Sequence, residues 1–306
     1  MTTPGIPNEY TLSTTCFGSR LLNIQDQVFA AVGMGFRRLE LGLAETPPSM
    51  DGLEDSRRET GVTLPSMVAG CRDPLNGNMA VERLGSLVPE ERDRALNSVR
   101  RHIRLARTWN CPRIVVRGSK VEDPELRAEC AELRRRWEED GPDPELREEV
   151  AALVERVQHS GHKHIEQLCR SLHELSRESP DVTFALEPGR QVEDLLGFEA
   201  MGWVLEDLEG TGLTYWHDVG RIHLRERLGL PAQGEWLDRF GSRMEGIHLQ
   251  DATADETGLP VGSGEVDFKL LEEYVPSSAE RVVDVADKHG RAEILASVRF
   301  LLDHGF

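Results

Sequence analysis

The chain has 306 residues, of which 39% are hydrophobic, so it is long enough for one large domain or two small ones. Its formal net charge of −18 disfavours binding to nucleic acid and to acidic membranes, and no apolar run is long enough for a transmembrane helix. The five cysteines form no CxxC pair and the first residues do not read as a signal peptide, so we expect a reduced, cytoplasmic protein without disulfides or structural zinc.

Short runs of β-type composition alternate with helical segments along the chain. Eight runs are predicted as strands, at residues 10–14, 36–41, 62–68, 113–118, 182–187, 213–218, 244–250 and 281–286. Helical periodicity or helix-start residues mark residues 24–35, 89–109, 162–178 and 291–305. This alternation predicts a parallel sheet with helices outside it, and eight units predict a closed (β/α)8 TIM barrel formed by a single domain, residues 1–306.

One region interrupts the alternation. Residues 120–158, between predicted strands 4 and 5, are highly charged, and "DGPDP" within them is typical of a turn between two helices. We interpret 120–158 as a solvent-exposed helical insertion in the barrel. The alternatives are a lid above the barrel mouth or a dimer contact, and a homodimer is therefore possible.

Polar residues lie at the ends of the last four predicted strands, where TIM barrels place their catalytic groups. They are Glu187, Asp218, His248 and Asp284, at successive intervals of 31, 30 and 36 residues. One βα unit of a barrel takes roughly 31 residues, so these four side chains should lie at one height. Three crowded carboxylates repel one another unless a cation or protons compensate, and carboxylates with one imidazole suit Mn²⁺, Mg²⁺, Co²⁺, Fe²⁺ or Zn²⁺.

Plainer interpretations exist for members of this group. His217 precedes Asp218, and in a regular strand only one of the two points inward; we take Asp218 as the ligand and His217 as a packing residue. His248 by itself would more often be a hydrogen-bonded core histidine. At strand 8, Asp287 competes with Asp284.

Several sequence pieces, in this order, resemble the sugar phosphate isomerase/epimerase superfamily. They are "STTCFGSR" after strand 1, "FRRLELG" at strand 2, "FALEPGR" at strand 5, "WHDVGR" at strand 6, "GIHLQDA" at strand 7 and "GLPVGSGEVDF" near the C-terminus. This superfamily of xylose isomerase-like TIM barrels includes ketose 3-epimerases, inosose dehydratases, hydroxypyruvate isomerase and the family 2 AP endonucleases. The resemblance covers nearly the whole chain apart from residues 120–158.

The resemblance implies a single divalent metal held by Glu187, Asp218, His248 and the strand-8 acid, Asp284. It also implies that Glu187 and Asp284 move protons at a carbon next to a carbonyl, while the metal polarises that carbonyl. The expected activity is therefore that of an isomerase or epimerase acting on a small sugar-like molecule.

The sequence departs from the family pattern at three positions. Strand 8 offers Asp284 where Glu is usual, Arg221 stands where the strand-6 motif usually has His, and Pro188 follows the strand-5 Glu in place of Asn or His. Because of these departures, a second interpretation remains: a degenerate barrel that binds a ligand without a metal.

Arginine lies at or after the ends of five predicted strands, at Arg20, Arg72, Arg117, Arg190 and Arg221. Since arginine binds carboxylate and phosphate in a bidentate manner, we expect an anionic substrate such as a sugar phosphate or a sugar acid, with Arg72, Arg117, Arg190 and Arg221 as binding residues. The alternative is that these arginines pair with acids at the barrel mouth or lie in solvent. Glu187 in particular could form a structural ion pair with Arg190 or Arg221. Glu40, at the end of strand 2, is expected to hydrogen-bond a substrate hydroxyl.

Two other enzyme classes share this scaffold. A lyase of the inosose or dehydroshikimate dehydratase type would need an acid for the leaving hydroxyl, and His217 or His248 are the candidates. An endonuclease IV-like enzyme would resemble a three-zinc site with many histidines, which the few histidines near strand ends and the net charge of −18 disfavour.

Overall fold

Eight parallel strands form the wall of a closed barrel in the computed structural model, which describes residues 6–72, 79–81, 83–141 and 143–306. The strands are β1 Tyr10–Ser13, β2 Arg38–Leu41, β3 Thr63–Val68, β4 Arg113–Arg117, β5 Thr183–Glu187, β6 Thr214–Asp218, β7 Met244–Leu249 and β8 Glu280–Val283. Each strand pairs with its neighbours in chain order, and β8 closes the barrel by pairing with β1. The predicted (β/α)8 barrel is confirmed.

Helices connect these strands on the outside. They are α1 Ile24–Met34, α2 Leu53–Thr60, α3 Pro89–Trp109, α4 Pro124–Asp140, α5 Pro144–Glu178, α6 Phe198–Asp207, α7 Val219–Arg227, α8 Gln233–Phe240, α9 Phe268–Tyr274 and α10 Arg291–Asp303. The predicted helices at 24–35, 89–109 and 291–305 match α1, α3 and α10 to within two residues.

Two helices occupy the region between β4 and β5. Asp123 caps α4 by accepting hydrogen bonds from two backbone amides, and Asp143 caps α5 in the same way at one amide. The second helix, α5, runs for 35 residues without a break, so it includes the segment 162–178. Gly161 lies in the middle of α5 and does not end it. It allows Leu195 to pack closely against the helix, because a Cβ at this position would lie 2.2 Å from a methyl carbon of Leu195. Whether this insertion serves as a lid or a dimer contact stays a prediction.

The inside of the barrel is filled by a small apolar cluster. Val68, Val115, Ala185, Trp216 and Val282 form it. Trp216 fits only because its neighbour on β7 is Gly246, where a Cβ would lie 2.4 Å from the indole ring. This cluster forms an apolar floor beneath the carboxyl ends of the strands.

The loop that follows β7 is shaped by Asp251. Its carboxylate accepts hydrogen bonds from the backbone amides of Gly262 (2.9 Å) and Val266 (3.1 Å), and Gly264 has room for no side chain because a Cβ would lie 2.4 Å from a backbone oxygen. Asp267 then caps α9. The "GSGEVDF" motif therefore builds a loop and a helix start.

Within the part of the chain that the structure describes, no helix is both long enough and apolar enough to cross a membrane.

Candidate active site

Strand register brings the polar residues of β4 to β7 to one level. Arg117 on β4 is the direct pairing partner of Glu187 on β5, and Asp218 on β6 is the partner of His248 on β7. Each of these residues ends its strand or lies next to its end. The side chains therefore meet at the carboxyl end of the barrel, as the sequence spacing predicted.

His248 lies at the centre of this group and is completely buried. Its Nδ1 lies 2.5 Å from Oε1 of Glu187, and its Nε2 lies 2.9 Å from Oε1 of Glu40. Burial alone would lower the pKa of His248, but Glu40 and Glu187 outweigh that effect and hold it well above its usual value. Ser66 donates a hydrogen bond of 2.8 Å to the other oxygen of Glu40.

Glu187 is likewise completely buried and is surrounded by cationic groups. Arg117 forms an ion pair with it, and Nε of Arg221 lies 3.4 Å from Oε2. Burial would raise the pKa of Glu187, but Arg117, Arg221 and His248 together hold it well below its usual range. A buried strand can therefore end on this carboxylate without leaving an unpaired charge.

Asp218 has two roles at the end of β6. Its Oδ1 accepts hydrogen bonds from the backbone amide of Arg221 (2.9 Å), which caps α7, and from Nε2 of Gln250 (2.8 Å). Its Oδ2 lies 3.1 Å from Nε of Arg221 and 3.7 Å from Nδ1 of His248. Gly220 leaves space for Gln250, since a Cβ there would lie 2.7 Å from its amide carbon.

Asp284 directly follows β8 and is half-buried. It accepts a hydrogen bond from the hydroxyl of Thr15, which also lies 2.9 Å from the hydroxyl of Ser13. Its negative charge acts on Arg117: burial would lower the pKa of Arg117, but Glu187 and, more weakly, Asp284 help to raise it. The competing residue Asp287 is exposed and packs against the loop that follows β1.

The arrangement of donor atoms fits a divalent metal at three of the four predicted ligands. Ligand atoms of Glu187, Asp218 and His248 lie within 4.8 Å of one another, whereas Asp284 lies outside this group. Nδ1 of His248 faces both carboxylates, and Nε2 faces Glu40, which is how a second carboxylate usually orients a metal-binding histidine. The four carboxylates of Glu40, Glu187, Asp218 and Asp284 outnumber the cationic groups around them, so a negative charge remains that a divalent cation can balance.

The four arginines predicted to bind substrate fall into two sets. Arg117, Arg190 and Arg221 line one cavity of about 230 Å³ beside the cluster, together with Lys120, which the sequence analysis had not singled out. Arg72 is exposed in a two-residue strand after β3 and does not line this cavity. Substrate binding by these residues stays a prediction.

His217 points away from the barrel interior. Its Nδ1 lies 2.9 Å from the hydroxyl of Tyr215 and its Nε2 lies 2.8 Å from Oε1 of Gln233. Burial lowers the pKa of His217 to about 4, so it is neutral in the folded protein. This leaves His248 as the remaining acid for the lyase alternative.

No family model matches the sequence, and no curated protein matches it. Solved structures do match the fold. D-psicose 3-epimerase with D-tagatose from Clostridium cellulolyticum H10 gives a TM-score of 0.68 at 13% identity, over 97% of this chain and 99% of that one. The chain has the fold of the sugar epimerases. The resemblance noted in the sequence is thus confirmed for the fold.

Two further structures with the sugar epimerase fold extend the comparison. The apo form of 3-keto-D-glucoside 4-epimerase from E. coli gives a TM-score of 0.67 at 14% identity, over 97% of this chain and 100% of that chain. A crystal structure of the IolI protein with a bound zinc atom gives 0.62 at 13% identity, over 97% of each chain.

Some residues of the site were not found from the sequence. Thr15, Ser66 and Gln250 each donate one hydrogen bond to a carboxylate at the carboxyl end of the barrel. The acceptors are Asp284, Glu40 and Asp218, respectively. Short polar residues of this kind are common near strand ends, so their type alone gives no signal. Ser66 is the direct pairing partner of Glu40, a relation that follows from the strand register of the folded protein.

Proposed function

We propose that this protein is a sugar isomerase- or epimerase-like enzyme that depends on a divalent metal and moves a proton at a carbon next to a carbonyl group. The observation that carries this proposal is the buried group of Glu187, Asp218 and His248, with Glu40 on the far side of the imidazole. The fold supports it, since several proteins that share it are sugar epimerases.

Glu187, Asp218 and His248 would hold the metal, and Mn²⁺, Mg²⁺, Co²⁺ and Zn²⁺ all suit a set of carboxylates with one imidazole. When bound, such an ion polarises a carbonyl oxygen and stabilises the negative charge that develops on it. Glu40 keeps His248 in the required orientation by accepting the hydrogen bond from Nε2. Because Ser66 and His248 occupy both oxygens of Glu40, we propose this positioning role for Glu40 in place of the predicted contact with a substrate hydroxyl.

Asp284 is our first choice for the group that moves the proton. It is half-buried and accepts a hydrogen bond from the neutral hydroxyl of Thr15, and it has no ion pair among the described residues. Glu187, by contrast, has its pKa held low by Arg117, Arg221 and His248, and a strongly stabilised carboxylate is a weak base. Glu187 therefore serves first as a metal ligand and only second as a proton carrier.

A metal-free ligand-binding barrel is the second candidate, because Arg117 already neutralises the Glu187 carboxylate. In that case Arg117 and Arg221 supply the positive charge that a metal would otherwise provide. The two candidates differ in chemistry: the metal-free barrel binds its ligand and leaves it unchanged.

Exchange with solvent deuterium tests the proposed reaction. The protein, supplied with Mn²⁺, is incubated in D₂O with D-fructose, D-tagatose and 2-keto-D-gluconate, and deuterium at the carbon next to the carbonyl is measured by NMR and mass spectrometry. We expect deuterium to appear in at least one compound and to be lost in Glu187→Gln. A product lighter by one water would indicate a lyase.

The matched control is Arg170→Gln, on the exposed surface of α5, which should exchange at the wild-type rate. Full exchange in both Glu187→Gln and Asp284→Asn would show that neither carboxylate moves the proton, and the proposed mechanism would be wrong.

A further inference from the structure

The cavity beside the metal-binding group is unusually rich in cationic side chains for a protein of net charge −18. Its walls come from the end of β4, the loops that follow β4 and β5, the start of α7, and Val81 between β3 and α3, and its volume is about 230 Å³. Arg117, Lys120, Arg190 and Arg221 line it, and Asp194 is its only acidic lining residue among those described. The charged side chains that line the cavity are therefore mainly cationic, whereas the chain as a whole is strongly acidic.

Three of these four cations are already paired. Arg117 forms an ion pair with Glu187, and Arg221 lies 3.1 Å from Asp218. Lys120 lies 3.0 Å from Oε1 of Glu193. Their charges are compensated by these carboxylates. They therefore shape the cavity, and they can contact a ligand while each keeps its carboxylate partner.

Arg190 differs from the other three. Its Nε is shielded from solvent and has no hydrogen-bond partner, and no ion pair to it occurs within 4.0 Å in the part of the chain that the structure describes. Burial and, more weakly, the neighbouring charge of Arg221 lower the pKa of Arg190, while Asp218 and Asp194 oppose this shift. A buried donor without a partner is costly unless a ligand satisfies it.

The loop that carries Arg190 is held in place by the insertion. Arg134 of α4 lies 2.6 Å from Glu193, and Gln158 of α5 donates a hydrogen bond of 3.1 Å to the backbone oxygen of Leu195. On the other side, Arg225 of α7 donates one of 2.7 Å to the backbone oxygen of Gln191. Arg190 is thus presented by a fixed loop, which reduces the entropy lost when a ligand binds.

We propose that the substrate is a sugar acid and that Arg190 binds its carboxylate in this cavity. The inference rests on the proposed function. Arg117 and Arg221 line the cavity and also lie beside Glu187, so one small molecule can place its carboxylate in the cavity and its reacting carbon at the metal-binding group. One unpaired guanidinium matches one carboxylate in charge and in its bidentate geometry. A phosphate dianion would need a second unpaired cation.

Isothermal titration calorimetry with matched sugars tests this inference. D-Gluconate and D-glucuronate are the acids, D-glucose is the neutral control, and D-glucose 6-phosphate is the phosphate arm. In the wild type we expect a sugar acid to bind about 10- to 100-fold more tightly than D-glucose, as one charge-assisted contact predicts. Arg190→Gln should abolish this preference, Arg190→Lys should retain part of it, and the exposed control Arg170→Gln should leave it unchanged.

Equal binding of the acids and of D-glucose by the wild type would overturn the inference, as would tightest binding of the phosphate or an unchanged preference in Arg190→Gln. Thermal unfolding of Arg190→Gln, compared with the wild type, shows that the variant is folded. Failure here is distinguishable from failure of the proposed function, because metal content and deuterium exchange into neutral ketoses do not depend on a carboxylate in the substrate.

Discussion

The two ends of the barrel use the same residue types for different purposes. At the amino end, Arg113 lies 2.6 Å from Glu245 and 3.4 Å from Glu280, and Arg38 also pairs with Glu280. Two arginines meet two glutamates there, and Thr11 adds a hydrogen bond. At the carboxyl end, four carboxylates meet two paired arginines and a histidine.

This difference separates a structural network from a candidate site. The charges at the amino end compensate one another, so that network needs nothing further and closes the barrel. The carboxyl end keeps an excess of carboxylate, and beside it lies an arginine without a partner among the described residues. Excess charge of this kind costs stability unless a ligand or ion compensates it, and it is typical of functional sites.

The largest effect is expected from Asp284→Asn. Loss of a general acid or base should slow deuterium exchange by about 10²- to 10⁴-fold. Thermal stability should stay close to that of the wild type, because the change removes one of several crowded carboxylates and leaves an oxygen that can accept the Thr15 hydrogen bond. The control is Asp287→Asn, on an exposed side chain nearby. Unchanged exchange in Asp284→Asn would move the proton-transfer role to another residue.

At the amino end, the corresponding change is Glu280→Gln. The Glu280 side chain is only 3% exposed, and its loss leaves Arg38 and Arg113 without their shared partner. We expect the free energy of unfolding, measured by urea titration, to fall by about 3 kcal/mol. Metal content should not change. Glu245→Gln should cost less, since that side chain is 29% exposed. Loss of metal in Glu280→Gln would contradict the separation of the two ends.

Glu40→Gln tests the orienting role at the carboxyl end. Removing a carboxylate that orients a metal-binding histidine typically weakens metal binding by about 10- to 100-fold. The dissociation constant for Mn²⁺, measured by calorimetry, should rise by that factor. Ser66→Ala, which removes only the hydrogen bond behind Glu40, should give a smaller rise. Equal affinity in the wild type and Glu40→Gln would show that Nε2 of His248 needs no carboxylate.

The smallest effect is expected from Arg134→Gln in the insertion. It removes one of two cations that hold Glu193, and with it one support of the loop that carries Arg190. Affinity for a sugar acid should fall about threefold, as expected for partial loss of preorganisation. Arg127→Gln, on an exposed side chain of the same helix, is the control. An equal loss in both variants would point to a general effect of charge.

The fold was predictable because eight strand-type runs alternate with helical segments along the chain, and each predicted strand overlaps a barrel strand. The strand ends also predicted the meeting of Glu187, Asp218 and His248, since spacing fixes height in a barrel. The partners of these acids were predictable only in part, since the sequence offered Arg221 as a partner of Glu187 but did not single out Arg117. That Glu187 would face Arg117 and that Glu40 would hold His248 depends on register and rotamer, which pair residues far apart in the chain.

Metal content tests the central claim most directly. The purified wild type, Glu187→Gln and His248→Ala would be measured by plasma mass spectrometry, before and after reconstitution with Mn²⁺, Co²⁺ or Zn²⁺. The account predicts close to one metal ion per wild-type chain and loss of that ion in both variants. A wild-type protein that holds no metal after reconstitution would contradict it and would leave Arg117 as the permanent counter-ion of Glu187.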